Sequence, residues 1–345
     1  MTRDTARQAI GVSALLLAVL FLAPLSWALK GEEPKPAEGP EEEETRLPPF
    51  ESGALDGETK LKVLDGGEVL ELDLGTYLVG VVRAEMPASF ELEALKAQAA
   101  AARTYTLYKL RTGGNHGDAA DICTDSTCCQ AYLDEETARA NWGAEANANE
   151  LKIQQAVKET DGQAVLYGGA PVLAVFHSSS AGLTRNAGQV WQEDLPYLQA
   201  VSSPESGEAI PNYYSSKEFT KEELKEKLQA AWPDADLTGE VSTWLTNPVT
   251  DTAGSVTTVS VGGVTVKGAQ VRSALGLRSA CFEWEEADGK ITFYVTGYGH
   301  GVGLSQYGAN RMAQQGANYQ EILTHYYTGV TVEAWAADFT NHDPA

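Results

Sequence analysis

One carboxyl set among apolar neighbours is the feature of this sequence best suited to chemistry. In YLVGVVRAE (77–85), Leu78, Val81, Val82 and Glu85 recur at i, i+3, i+4 and i+7, so they share one helical face. That face is apolar except for Glu85. Loss of water raises a carboxyl pKa, and a carboxyl still protonated near neutral pH is what a general acid requires. In the next predicted helix Lys96 and Arg103 lie two turns apart on one side, and both can point towards Glu85. The competing reading makes Glu85 half of a structural ion pair with Arg103, since such pairs also perturb carboxyls.

A second group of reactive side chains lies in NHGDAADICTDSTCCQAYLD (115–134). His116, Cys123 and Cys129 are donors of the kind that hold Zn²⁺ tetrahedrally. The spacing is not that of a standard knuckle, and a disulfide or reduced thiols are the alternatives. Vicinal Cys128 and Cys129 are not expected to point at one ion together. A catalytic zinc is disfavoured, because no H-E-x-x-H supplies a base beside an open coordination position.

Two further stretches suit a polar ligand. FHSSSAG presents a row of small polar residues, including Ser178 and Ser179, either as a groove floor or as a strand end with capped turns. No G-x-S-x-G elbow accompanies these serines. Trp191 and Tyr197 follow as aromatics that either stack on sugar rings or join the core. In TGYGHGVGLSQYG, Gly297, Gly299, Gly301 and Gly303 alternate with side chains, His300 among them. If extended, one face carries no side chain, which suits close approach of a ligand or another backbone.

The elements that must position these groups read as α+β. Residues 59–74 alternate apolar and polar around Asp65-Gly66-Gly67 and predict a β-hairpin. The Glu85 helix stops at Met86-Pro87. A second helix, capped by Ser89, carries LEALKAQAAAARTYTLYKL. A surface helix is expected over 141–161, then two strands around Gly168-Gly169. A helix with a Thr220/Glu223 capping box precedes a strand-rich stretch over 255–296. Helices over about 305–315 and from Asn318 to Gly329 close the domain. The expected core is the pair of helices around Glu85 packed on a mixed or antiparallel sheet.

The 345 residues suffice for one large or two ordinary domains. With 48 acids against 25 bases the net charge is −23, which disfavours nucleic acid as a partner. Residues 8–29 are uncharged, mostly apolar and long enough to span a bilayer. Arg3 and Arg7 precede them, so residues 1–7 are expected in the cytoplasm and the rest of the chain outside. The rival is a cleaved signal peptide ending at Ser26-Trp27-Ala28. Residues 30–56 are rich in Glu and Pro and predict a disordered spacer. The folded domain is expected over 57–335, with a tail over 336–345.

Taken together, VVRAEMPASFELEALKAQAAAARTYTL (81–107), DSTCCQAY (125–132), FHSSSAGLT (176–184), LPYLQAV (195–201), LGLRSACF (275–282) and GYGHGVGLSQYGANRMAQQG (297–316) resemble the stage II sporulation protein D family, which includes the amidase enhancers. The resemblance covers roughly residues 58–333. It implies a membrane-anchored peptidoglycan lytic transglycosylase of sporulation, active in engulfment. Such an enzyme cuts between N-acetylmuramic acid and N-acetylglucosamine and leaves a 1,6-anhydro end. The family's catalytic acid matches Glu85. Its Lys and Arg match Lys96 and Arg103, and the tyrosine of its Pro-Tyr-Leu motif matches Tyr197. Ser178, Ser179, His300 and Gln306 are expected contacts in a glycan cleft. No cofactor is implied for catalysis, although some members hold a zinc ion near positions matching His116, Cys123 and Cys129. A partner amidase and a recruiting membrane protein are implied as well. The family often has Lys after Pro-Tyr-Leu, where this chain has Gln199. The alternative from another class is a cell-wall binding module that activates the amidase, with Glu85 structural.

Overall fold

Leu61 and Val63 alternate with polar residues, and two glycines follow at 66 and 67 with φ of 55° and 99°. These conditions make a tight hairpin, and β1 (Lys60–Asp65) pairs antiparallel with β2 (Glu68–Asp73) from Asp65↔Glu68 outwards. The computed structural model of the chain describes residues 47–335, except 115, 206, 208 and 209. The expected cytoplasmic segment, membrane anchor, most of the spacer and the tail lie outside the described residues. Among the described residues no helix is long and apolar enough to cross a membrane.

The spacer ends earlier than its composition implies. α1 (Ala54–Glu58) is helical, and Asp56 within it is buried. The Asp161 carboxylate holds its start, accepting from the Leu55 and Asp56 N–H groups at 3.1 and 2.9 Å.

α2 (Leu74–Glu85) follows β2, and the Asp73 side chain caps it by accepting from Thr76 N–H. It stops at Met86, whose extended backbone meets Pro87. α3 (Leu92–Thr112) starts two residues later than a cap at Ser89 implies, with Glu91 at its N-cap. Its residues from Ala97 to Leu107 are buried on every side. A helix buried all round belongs in a core, and the small alanines let its neighbours approach closely. These neighbours are α2, α5 (Ala146–Lys158), β4 (Gln163–Tyr167), α9 (Gln306–Gln314) and α10 (Tyr319–Tyr326). The expected single sheet under two helices is replaced by several small sheets, of which the one containing β4 packs on this helix. The surface helix expected over 141–161 divides into α4 (Glu135–Trp142) and α5, and α5 buries Ile153, Ala156 and Val157.

β4 is the middle strand of a sheet with β5 (Ala170–Pro171) and β14 (Thr331–Ala334), both antiparallel to it. β3 (Ile122–Cys123) adds parallel to β1. β6 (Phe176–His177) pairs parallel with β13 (Leu304–Ser305), the two residues before α9. α6 (Ala187–Val190) lies between these two strands in the sequence.

A second hydrophobic core, built around Phe219, Phe293 and Val259, lies within residues 219–295. One of its sheets has the order β11 (Phe282–Ala287), β12 (Lys290–Thr296), β7 (Tyr214–Thr220). The other has the order β10 (Val264–Lys267), β9 (Val256–Val261), β8 (Leu245–Thr250). α7 (Lys221–Ala231) begins at the expected Thr220/Glu223 capping box, and α8 (Gly268–Leu275) packs on β9.

Candidate active site

Glu85 is the last residue of α2, and its carboxyl is held by neutral donors only. Oε1 accepts from the Ala131 N–H at 3.0 Å, and Oε2 accepts from Gln306 Nε2 at 3.1 Å. Burial lifts its pKa above the ordinary carboxylate range, and those two hydrogen bonds pull it part of the way back. Gln306, first residue of α9, also donates to Gln98 Oε1 of α3 at 3.4 Å. The Ala131 loop and α9 therefore meet at one carboxyl, and α3 braces the second of them through Gln98. Among the described residues no cation pairs with it.

Arg103 is not its partner. It is wholly buried and donates Nε and Nη2 to the two Asp56 oxygens at 2.8 and 2.7 Å. Its Nη1 donates to the Gln163 carbonyl at 3.2 Å. The expectation that Arg103 faces Glu85 is corrected: α3 turns that side towards α1 and the end of α5. Lys96 also turns elsewhere, to Glu93 at 2.8 Å and Glu159 at 2.6 Å. On α3 it is Gln98 that reaches the site, a lone amide in a run of alanines and the one signal there that could have marked it.

Tyr197 is buried in the main core. Its hydroxyl accepts from Leu173 N–H at 3.3 Å, and its ring meets Tyr167. Ser178 lies beside the start of α9, its carbonyl accepting from Tyr307 N–H at 3.0 Å. Ser179 and His300 line a small cavity of about 20 Å³ with Arg185. Ser179 is joined there to Tyr298 through both backbone N–H groups.

The glycine-rich segment is not a strand. Gly297, Gly299, Gly301 and Gly303 all have positive φ, between 70° and 118°, which other residues rarely adopt. The chain winds closely around β6, and a Cβ at Gly299 would lie 2.6 Å from that of His177. His300 is thereby wedged between His177 and Trp191, with ring centroids 5.5 and 5.2 Å away. Burial lowers the pKa of His300 to about 4 and of His177 to about 3, so both rings are neutral near pH 7. A buried carboxylate, Glu205, was not expected. It accepts from the Ser180 N–H and, at 2.7 Å, from the hydroxyl of Ser305, the N-cap of α9.

The loop that supplies Ala131 begins at a cluster of four soft donors. His116, Cys123, Cys128 and Cys129 place one ligand atom each within 4.8 Å of the others. His116 Nε2 lies 3.6 Å from Cys128 Sγ and 3.7 Å from Cys129 Sγ, and the two sulfurs are 3.7 Å apart. Tetrahedral zinc with its usual bond lengths has S···S edges of ~3.8 Å and S···N edges of ~3.6 Å. None of the cysteines forms a disulfide. The expectation that the vicinal pair cannot converge is corrected by a turn in which the Asp125 carbonyl accepts from both Cys128 and Cys129 N–H groups. Cys123 is held by the pairing of β3 with β1. Burial pushes the Cys129 thiol up to about 12, and a bound cation would reverse that. The sharp approach of this loop needs Gly80: a Cβ there would lie 2.1 Å from the Tyr132 ring.

Comparison with known proteins adds a frame to this geometry. The family model described as stage II sporulation protein matches residues 65–167, which contain Glu85, Gln98 and all four cluster residues. Stage II sporulation protein D of Bacillus amyloliquefaciens is 38% identical over 266 residues, spanning 76% of this chain and 75% of that protein. Its counterpart in Bacillus subtilis (strain 168) is 37% identical over 267 residues, with the same coverage. The amidase enhancer of Bacillus subtilis (strain 168) is 28% identical over 308 residues, which span 75% of this chain and 40% of that longer protein.

Proposed function

The chain belongs to the stage II sporulation protein D family, and on that premise we propose that it is a peptidoglycan lytic transglycosylase acting on glycan strands stripped of stem peptides, with Glu85 as its acid and base. One observation carries the reading: a largely desolvated carboxyl of raised pKa with no cation beside it, held by a backbone N–H and by the Gln306 amide, which is itself tied to Gln98. Ordinary glycosidases flank the bond with two carboxylates. Here one suffices. Glu85 protonates the glycosidic oxygen between muramic acid and glucosamine as that bond breaks. The 6-hydroxyl of the muramic sugar attacks its own anomeric carbon, and the Glu85 carboxylate takes the hydroxyl proton. The products are a 1,6-anhydro end and a free 4-hydroxyl, and Glu85 is protonated again without water being consumed. Gln306 and the Ala131 N–H hold the carboxylate form in place between these steps. Ser178 lies beside α9 and is a candidate glycan contact.

The donor set at His116, Cys123, Cys128 and Cys129 fits a structural zinc ion, because three sulfurs and one imidazole fill all four tetrahedral positions. Such an ion would fix the loop whose Ala131 N–H meets Glu85. The uncharged run over 8–29 supports a single-pass anchor in the cell membrane with the N-terminus in the cytoplasm. A partner amidase that frees the strands, and a membrane protein that recruits both, complete the proposed role in sporulation.

A second reading draws support from the amidase enhancer relative: a non-catalytic wall-binding module that activates an amidase. Incubating the chain with purified stripped glycan strands separates the two. Fragments one water lighter than hydrolysis products support the transglycosylase, whereas retained binding without cleavage supports the module.

A further inference from the structure

A second groove, of about 560 Å³, also has His300 in its lining, as the small cavity beside Ser179 does. It lies where the two hydrophobic cores meet. Trp191, at the end of α6, belongs to the margin of one core, and Trp232, at the end of α7, to that of the other. Lys267 joins the two sides by donating to the carbonyls of Gly188 and Trp191. Such junctions, at this volume, are where small-ligand sites form.

The lining has a consistent chemistry. Trp191, Trp232 and the neutral His300 ring supply flat aromatic surface, and Gln270, Arg272 and Ser273 of α8 supply polar groups. The Arg272 Nε donates to the Arg278 carbonyl at 3.0 Å, which fixes the guanidinium. Among the described residues no carboxylate pairs with Arg272. The nearby Asp251 faces Arg185 instead, at 3.9 Å, and Arg278 stacks 4.0 Å over the Tyr298 ring. In a chain of net charge −23 this is a local positive site. An arginine fork matches a carboxylate bidentately, and aromatic faces suit the apolar face of a pyranose.

We infer that this groove is a second glycan subsite which selects a sugar bearing a free carboxylate, with the ring against Trp191 and Trp232 and the carboxylate on Arg272. The inference rests on the proposed peptidoglycan substrate. In that polymer each muramic sugar carries a lactyl group, which is an amide while the stem peptide is attached and a carboxylate once that amide has been hydrolysed. The groove therefore reads whether an amide-hydrolysing reaction has already acted on the strand, and it does so away from the carboxyl that cuts.

The test measures binding with the full-length chain carrying Glu85→Gln, so that cleavage does not intervene. The ligands are stripped strands with free lactyl carboxylates and the same strands after chemical amidation. The parent is expected to prefer the free carboxylates by roughly tenfold or more, the worth of a charge-assisted hydrogen bond. Arg272→Gln should abolish that preference by weakening only the carboxylate strands, and Trp232→Ala should weaken both. Equal affinity of the parent for the two strands would overturn the subsite without any variant being needed. Equal weakening of both strands by Arg272→Gln would overturn it also. Binding to neither strand by the parent would instead remove the glycan substrate, and the subsite with it.

Discussion

Glu85 and Gln306 stand 221 positions apart in the chain and meet at 3.1 Å through Oε2 and Nε2. The contact joins the last residue of one helix to the first residue of another. Its neutrality matters. A cation at that place would favour the carboxylate and lower the pKa strongly, whereas an amide leaves burial in control. The acid thus stays available for protonation while its orientation is fixed.

Glu85→Gln keeps the shape and one of the two acceptor oxygens but removes the transferable proton. Turnover of stripped glycan strands should fall by ~10²–10⁴-fold or more, the usual worth of a positioned acid. Its thermal unfolding midpoint should stay within a few degrees of the parent's. Mass spectrometry of the anhydro-ended products checks the first, and calorimetry the second. Parent-like turnover would end the assignment.

Gln306→Ala should move the pH profile in a defined direction. The hydrogen bond that the Gln306 amide donates to Glu85 favours the carboxylate and lowers the pKa, so its loss raises the pKa further. The protonated acid starts the reaction, so the rate falls as pH rises through that pKa. The alkaline limb of kcat/KM should therefore shift to higher pH in the variant, with a lower plateau from the loss of orientation. An unmoved limb would mean that Gln306 does not act on Glu85.

Arg103 should behave as a stability residue. It and Asp56 are a buried bidentate pair, 0% and 2% exposed. Removing one partner of such a pair costs ~3–5 kcal/mol, while replacing both with apolar residues is often neutral. Arg103→Met alone should lower the urea midpoint sharply, and Asp56→Leu combined with it should restore much of the loss. A raised KM with unchanged unfolding in Arg103→Met would instead return Arg103 to substrate binding.

Zinc content should be one ion per chain, read by native mass spectrometry. Stripping it with a chelator should lower the unfolding temperature and the cleavage rate together, since Ala131 lies two residues beyond Cys129 and donates to Glu85. Cys128→Ser should weaken retention of the ion, because Cys128 is one of four converging donors. Full retention in that variant would make the site a three-residue one.

Much of the local structure was legible because it depends on local spacing. The helical period put Glu85 on an apolar face, and Glu85 is drawn from water as expected. Paired glycines marked the β1–β2 turn, and the Thr220/Glu223 capping box marked a helix start. Gly297 to Gly303 misled, because alternation imitates a strand whenever φ is left out. Their positive φ values were visible only in three dimensions. The vicinal cysteines diverge in extended chain and converge here on a turn closed by the Asp125 carbonyl.

The chain alone determined which residues share a face and which carboxyl was desolvated. The tertiary structure decided what each face meets. It sent Arg103 to Asp56, 47 positions away, sent Lys96 to Glu159, and brought Gln306 to Glu85 with Gln98 behind it. A helical period fixes angles about one axis. It carries no information about which neighbour occupies each angle, and that is set by the packing of the whole core.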